Sequence, residues 1–250
     1  MKTEDRLIVA LDTGNLTEAE RLVEELMEYC SIFKVGAQLF TAQGPEAIRM
    51  VQAKGAKVFL DLKYHDIPNT VVKAAEEALK LGVHMFTIHT WGGREMMKRT
   101  AQQLVATSLE SGLPRPLVFG VTILTSIDQK ILFEELLHQV SLKAQVRSLA
   151  RLAKLAGLDG VVSSPDEIQD IRDTCGEHFY LIVPGIRPKD FPSEDQRRTN
   201  TPSWAIYHGA DYLVVGRPIT QSASPKRVAE KILKEIEDAV KDRLSLKTPP

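Results

Sequence analysis

Residues 57–70 read KVFLDLKYHDIPNT, and the stretch changes character halfway along. Val58, Phe59 and Leu60 form a short apolar run of the kind a buried parallel strand uses. Asp61 and Lys63 follow two positions apart, and the period of a strand puts both on one face. Asp66 comes three residues later, in a turn, and Pro68 suits the first turn of a helix. A helical pattern then occupies 70–81. The unit is a strand that turns charged at its C-terminal end and passes through a short turn into a helix.

The same unit recurs along the whole chain. Candidate strands lie at 6–12, 32–36, 57–63, 85–89, 116–124, 160–164, 179–184 and 212–216. Amphipathic stretches lie between them. Residues 17–29 carry Leu22, Val23, Leu26 and Met27 on one face at a period of 3.6, and 142–155 read the same way. The last helix, 225–240, opens with Ser224 as cap and Pro225 in its first turn. Eight strands each followed by a helix is the count of an α/β fold of the (β/α)8 barrel type. A doubly wound open sheet shows the same alternation. No GxGxxG opens the first helix, however, and polar residues recur at the ends of many strands rather than at one crevice. No linker or shift in composition divides the chain, so residues 1–250 read as a single domain. Two segments exceed a minimal repeat. Residues 126–139 suggest an extra short helix, and 186–202 form a long polar loop of the length usually tied to function.

Composition narrows the classes of function. The 250 residues carry 32 basic and 33 acidic side chains, a net charge of −1, which leaves no global basic field for nucleic acid. A content of 43% hydrophobic and 26% charged residues excludes a disordered or collagen-like chain. Cys30 and Cys175 lie far apart without metal-like spacing and read as two reduced thiols. The N-terminal apolar run is short and broken by charge, and no stretch reaches the ~18 apolar residues of a membrane span. A cytoplasmic protein without membrane association is expected.

In a barrel, chemistry sits at the C-terminal ends of the strands. Asp12 ends the first strand here and Lys34 lies near the end of the second. Asp61 and Lys63 end the third, Thr125 follows the fifth, and Arg187 follows the seventh. Gly216 and Arg217 end the eighth. Asp61, Asp66, Lys63 and Lys34 make an alternating array that balances its own charge and suits Lys63 to act as a general acid. The bland alternative is an ion-pair network that only seals the barrel mouth. The ends of strands seven and eight suit a phosphate. Gly216 lets a bare backbone amide approach an oxyanion, and Arg217 presents a forked guanidinium. Gln196, on the long polar loop, could add a hydrogen bond and close over the ligand. A lone arginine is more often solvated, but the Gly-Arg pair at this position weakens that reading. His89 reads as a satisfied histidine near the core rather than a base. His65 and His208 lack metal-like spacing, Trp91 and Trp204 read as packing residues, Met96 and Met97 as helix core, and Arg197-Arg198 as a solvated face.

The run Asp61-x-Lys63-x-x-Asp66-Ile67-Pro68-Asn69-Thr70 closely resembles the signature of the orotidine 5′-monophosphate decarboxylase family, bacterial type. Further matching stretches lie along nearly the whole chain: Leu11-Asp12, Phe33-Lys34-Val35-Gly36, 121–126 (VTILTS), 184–188 (PGIRP), 195–198 (DQRR), 209–212 (GADY) and 215–219 (VGRPI). The shorter DxKxxD is shared with related sugar-phosphate decarboxylases and synthases, and the IPNT continuation separates this chain from them. One departure is visible: Thr90-Trp91 stands after His89, where the family has small residues.

The resemblance implies conversion of orotidine 5′-monophosphate to UMP and CO2, the last step of de novo pyrimidine synthesis, without a cofactor or metal. Lys63 would donate the proton to C6, and Asp61 would sit beside the departing carboxylate, with Lys34 and Asp66 completing the array. Asp12 and Lys34 would bind ribose and Thr125 the pyrimidine. Gln196, Gly216 and Arg217 would hold the phosphate, with Arg187 nearby. Asp66 and Thr70 would reach into a partner's site, making the working unit a homodimer. The rival readings are a Mg²⁺-dependent sugar-phosphate decarboxylase or synthase, a Schiff-base aldolase using Lys63 or Lys34, and a non-catalytic nucleotide-binding barrel.

Overall fold

Alternate residues of a strand face opposite ways, and here both ways are apolar. Ile8, Ile32, Phe59, Met85, Phe119, Ile182, Tyr212 and Val214 point inward and pack on one another. Leu7, Val9, Phe33, Val58, Leu60, Phe86, Val118 and Leu213 belong to a second layer shared with the surrounding helices. Strands buried on both faces in this way form parallel sheets covered by helices. The computed structural model, which describes residues 1–188 and 200–247, shows that arrangement. Strands β1 (Leu7–Ala10), β2 (Ile32–Gly36), β3 (Lys57–Tyr64), β4 (Met85–His89), β5 (Leu117–Val121), β6 (Gly160–Val162), β7 (Tyr180–Val183) and β8 (Tyr212–Val215) are all parallel. They close in sequence order, with Leu7 to Val9 of β1 in register with Leu213 to Val215 of β8. The fold is the expected (β/α)8 barrel.

Among the described residues, ten α-helices follow in chain order: α1 (Leu16–Leu26), α2 (Ala37–Gln43), α3 (Glu46–Ala53), α4 (Pro68–Lys80), α5 (Gly93–Ser111), α6 (Leu142–Leu155), α7 (Ile168–Cys175), α8 (Pro202–His208), α9 (Arg217–Thr220) and α10 (Pro225–Lys247). Local chemistry starts them where they start. The Asn15 side chain accepts from the amide of Glu18 and caps α1, and Ser141 caps α6 through the amide of Ala144. Pro68 occupies the first turn of α4, where a missing N–H costs nothing. α1 then buries Ala19, Leu22, Val23 and Leu26, a stripe at helical spacing. Each fully buried Val or Leu contributes roughly 1.5–3 kcal/mol. Met96 and Met97 of α5 are fully buried, as expected of helix core.

Strand boundaries differ from the expected ones chiefly at the C-terminal ends. β5 was expected to reach Leu124 and stops at Val121, and β1 stops at Ala10. Leu11 and Thr122 still donate to the neighbouring strands, to the Lys34 and Val162 carbonyls, and beyond them Asp12, Ile123, Leu124 and Thr125 line the mouth. Segment 126–139 holds a single wide helical turn, Ile131–Glu135. At the loop expected over 186–202, Ile186 pairs with Asn200, and Pro202 opens α8 beneath a Thr201 cap. Cys30 and Cys175 are buried and unbridged. No described helix is long and apolar enough to cross a membrane.

Candidate active site

The parallel register brings the charges of three neighbouring strand ends together. Ala10 aligns with Lys34, Lys34 with Phe59, and Gly36 with Asp61. Lys34 and Asp61 thus continue the inward face above the apolar layer. Lys34 Nζ donates to Asp12 Oδ1 at 2.9 Å and lies 3.7 Å from Asp61 Oδ2. Lys63 Nζ donates to the same Asp61 oxygen at 2.8 Å. The order around the mouth is therefore carboxylate, ammonium, carboxylate, ammonium.

The way Lys63 gets there departs from the expectation. Regular alternation was to place Asp61 and Lys63 on one face, but the strand is not regular at this point. Its pairing with β4 slips between Leu60 and Tyr64, and Lys63 adopts φ of +52°, in the left-handed region. That region costs an L-residue about 1–2 kcal/mol. Such bulges re-aim side chains beside active sites, and here the bulge turns the ammonium back over Asp61. The Lys63 amide, lost from the ladder, donates to Thr87 Oγ1 at 2.9 Å.

Charge at Asp61 is stabilised locally. Burial pushes its carboxyl pKa up, but the ammonium groups of Lys34 and Lys63 and hydrogen bonds from Lys63 and Thr87 outweigh burial. The pKa lies below the ordinary carboxylate value. Its Oδ1 accepts from Thr87 Oγ1 at 2.9 Å, so both oxygens of the buried carboxylate are occupied.

A cavity of about 310 Å3 opens directly above this array. Asp12, Lys34, Asp61, Lys63, Thr125, Arg187, Gly216 and Arg217 all line it. Eight residues scattered from 12 to 217 in sequence thus share one space, with the array on one side and the two arginines on the other strand ends. At Gly216 a Cβ would make ordinary contact with Ala10 Cβ and an Asp12 oxygen, each at 3.4 Å, so the backbone there lies beside the Asp12 carboxylate. Asp66 and Thr70 do not join the lining; both are exposed, and Asp66 Oδ1 accepts from the amide of Ile67. Gln196 and the Arg197-Arg198 pair lie outside the described residues.

His89 corrects a second expectation. It is half-buried rather than satisfied: among the described residues its buried Nδ1 has no partner, and its ring stands 5.3 Å from that of His65. Burial pushes its pKa down to about 4, with His65 and Lys63 adding to the shift and Asp61 opposing it. The unusual Trp91 donates from Nε1 to the Thr122 carbonyl and packs edge-on against His138. Trp204 stacks on His208.

Two residues of the site received no role from the sequence, although Gly36 lies in the matching stretch Phe33-Lys34-Val35-Gly36. Gly36 leaves room for the Lys34 ammonium, which a Cβ would approach to 2.8 Å. Thr87, one strand away, holds Asp61 and Lys63 together. Register alone could have found both, because Gly36 pairs with Asp61 and Thr87 sits on the inward face of β4.

Comparison with known proteins agrees with this geometry. The family model described as orotidine 5′-phosphate decarboxylase / HUMPS family matches residues 5–232. A protein of Moorella thermoacetica named orotidine 5′-phosphate decarboxylase is 46% identical over 237 residues, covering 95% of this chain and 94% of that protein. One of the same name from Syntrophomonas wolfei is 44% identical over 239 residues, covering 95% and 100%. The crystal structure of orotidine 5′-phosphate decarboxylase from Lactobacillus acidophilus superposes with a TM-score of 0.82 at 38% identity, covering 93% of this chain and 99% of that one. With its fold, its charged strand ends and relatives matching along nearly its full length, the chain belongs to the orotidine 5′-phosphate decarboxylase / HUMPS family.

Proposed function

We propose that the protein decarboxylates orotidine 5′-monophosphate to UMP and CO2, closing pyrimidine nucleotide synthesis in the cytoplasm. The observation that carries this reading is the array of Asp12, Lys34, Asp61 and Lys63 facing a cavity that Arg187 and Arg217 also line. Breaking the C6–carboxylate bond leaves an electron pair in the plane of the ring, where no π system receives it. The stabilisation then falls to fixed charge. Lys63 places an ammonium where the pair develops and delivers its proton to C6, while CO2 departs. Asp61 holds that ammonium and lies beside the leaving carboxylate.

The remaining roles are those that the family resemblance implies. Asp12 and Lys34 hold the ribose, and Thr125 contacts the pyrimidine. Arg217, the Gly216 amide and Gln196 bind the phosphate, with Arg187 beside them. Binding energy from that distant phosphate helps to organise the reacting end. Asp66 and Thr70 act on a partner's site in a homodimer. Their exposure, and that of neighbouring Ile67, supports this reading, because within one chain they have no place at the cavity. The whole catalytic unit is one domain spanning the chain.

The test is the ultraviolet absorbance of orotidine 5′-monophosphate mixed with purified protein in EDTA. Rapid loss of the substrate absorbance is expected. An unchanged spectrum, together with Mg²⁺-dependent turnover of a sugar phosphate, would assign the chain to the metal-dependent members of its barrel relatives. Sedimentation at about twice the chain mass is expected for the dimer, and a monomer that retains full turnover would contradict the shared site.

A further inference from the structure

Asp61 and Lys63 carry the reacting end, but neither holds itself in place. Thr87 lies in the middle of β4 with no exposed surface. Its Oγ1 donates to Asp61 Oδ1 and accepts from the Lys63 backbone amide, both at 2.9 Å. A hydroxyl has one proton to give and two lone pairs, so both bonds form at once. The second Asp61 oxygen is taken by Lys63 Nζ, with Lys34 Nζ close by. The carboxylate plane is therefore fixed at both ends: by Thr87 on one oxygen and by ammonium groups on the other.

The backbone contact solves a separate problem. The slip between β3 and β4 takes the Lys63 amide off the ladder, and a buried amide without an acceptor is costly. The Thr87 side chain supplies the acceptor that the neighbouring strand's carbonyl no longer does. The same hydroxyl thus supports the left-handed backbone of Lys63 and orients the anion that its ammonium grips.

We infer that Thr87 is a positioning residue for the reaction: its single hydroxyl sets the Asp61 carboxylate and the Lys63 backbone relative to each other before substrate arrives. This rests on the decarboxylase reading. Groups aligned in advance lower the barrier because they need not reorganise as charge develops. Nucleotide held by its ribose and phosphate gains little from that alignment. Loss of the hydroxyl should therefore appear in kcat rather than in affinity.

Thr87→Val keeps the shape and removes the hydroxyl, and Thr87→Ser keeps the hydroxyl. Thr87→Val should lower kcat roughly 10- to 100-fold, as for a lost hydrogen bond to a charged group. UMP affinity and KM should stay within about threefold of wild type, and Thr87→Ser should recover kcat to within about threefold. The acid limb of the kcat profile should move to higher pH in Thr87→Val, because Asp61 loses a bond that favours its charged form. A merely structural role would move neither the limb nor kcat apart from KM. A kcat in Thr87→Val within threefold of wild type, or an equal loss in Thr87→Ser, would overturn the inference. If the valine variant does not fold, Thr87→Cys, a weak donor of similar size, is judged by the same two results. Wild-type turnover in the same assay separates the two layers. Its absence contradicts the decarboxylase reading, whereas turnover that ignores position 87 contradicts only the role of Thr87.

Discussion

Both ends of the barrel carry buried charge, and the two ends use it differently. At the N-terminal end, Arg172 is buried and bonded to the carbonyls of Gly176, Phe179 and Gly209 and to Asp211 Oδ2. Asp211 in turn accepts from the Leu181 amide. Every partner there is backbone or a side chain fixed by backbone, and the cluster rivets α7 to the strands. At the C-terminal end, Lys34 and Lys63 are bonded to carboxylates that face a cavity. The Lys63 side chain keeps 36% of its surface exposed, against 4% for Arg172. Charge enclosed by the fold's own carbonyls stabilises the fold. Charge held only by other side chains, beside open space, is available to a ligand.

Lys63→Ala breaks the comparison most sharply. Turnover should fall at least about 10⁴-fold, since a proton donor and a preorganised charge are lost together. UMP binding and the melting temperature should change little, and a near-native rate would remove Lys63 from the reaction. Arg172→Ala is the mirror image. It takes a partner from the half-buried Asp211 and the donors from three carbonyls, and should cost about 3–5 kcal/mol in denaturant unfolding. The rate per folded molecule should stay at the wild-type level. Arg217→Ala tests whether the arginine that lines the same cavity serves the same substrate. A reduction of kcat/KM of roughly 10²- to 10³-fold is expected for a lost forked contact to phosphate, and little change would misplace the phosphate.

The smallest effect concerns acid stability. His89 titrates at about 4 in the folded chain against an ordinary 6.5, so the unfolded chain binds its proton first. Its contribution is present above pH 6.5 and is lost as pH falls toward 4. Asp61, depressed from 3.8, adds a loss of the same sign only below that window. His89→Gln should flatten the fall in melting temperature between pH 6.5 and 4. An unchanged slope would show that His89 does not set it.

The barrel was legible because its determinants are local and repeated: apolar runs, amphipathic helices, caps and turn prolines. The charged strand ends were legible for the same reason, since a barrel sends such residues to one rim. The details that arm the site were not. The left-handed Lys63 depends on a slip in pairing between β3 and β4, which no periodicity in 57–64 encodes. Thr87 and Gly36 are ordinary strand residues by type, and only their register beside Asp61 and Lys34 gives them a role. His89 misled because a histidine at a strand end next to a buried core usually finds a partner. The phosphate reading through Gln196 lies outside the described residues, and Asp66 and Thr70 are exposed, away from the cavity of their own chain.

The most direct measurement is a crystal structure with UMP bound at the barrel mouth. Lys63 Nζ is expected about 3–3.5 Å from C6, the near-attack distance, with Asp61 still holding it. An ammonium turned away from the base, or a metal ion standing in its position, would contradict decarboxylation by fixed side-chain charge.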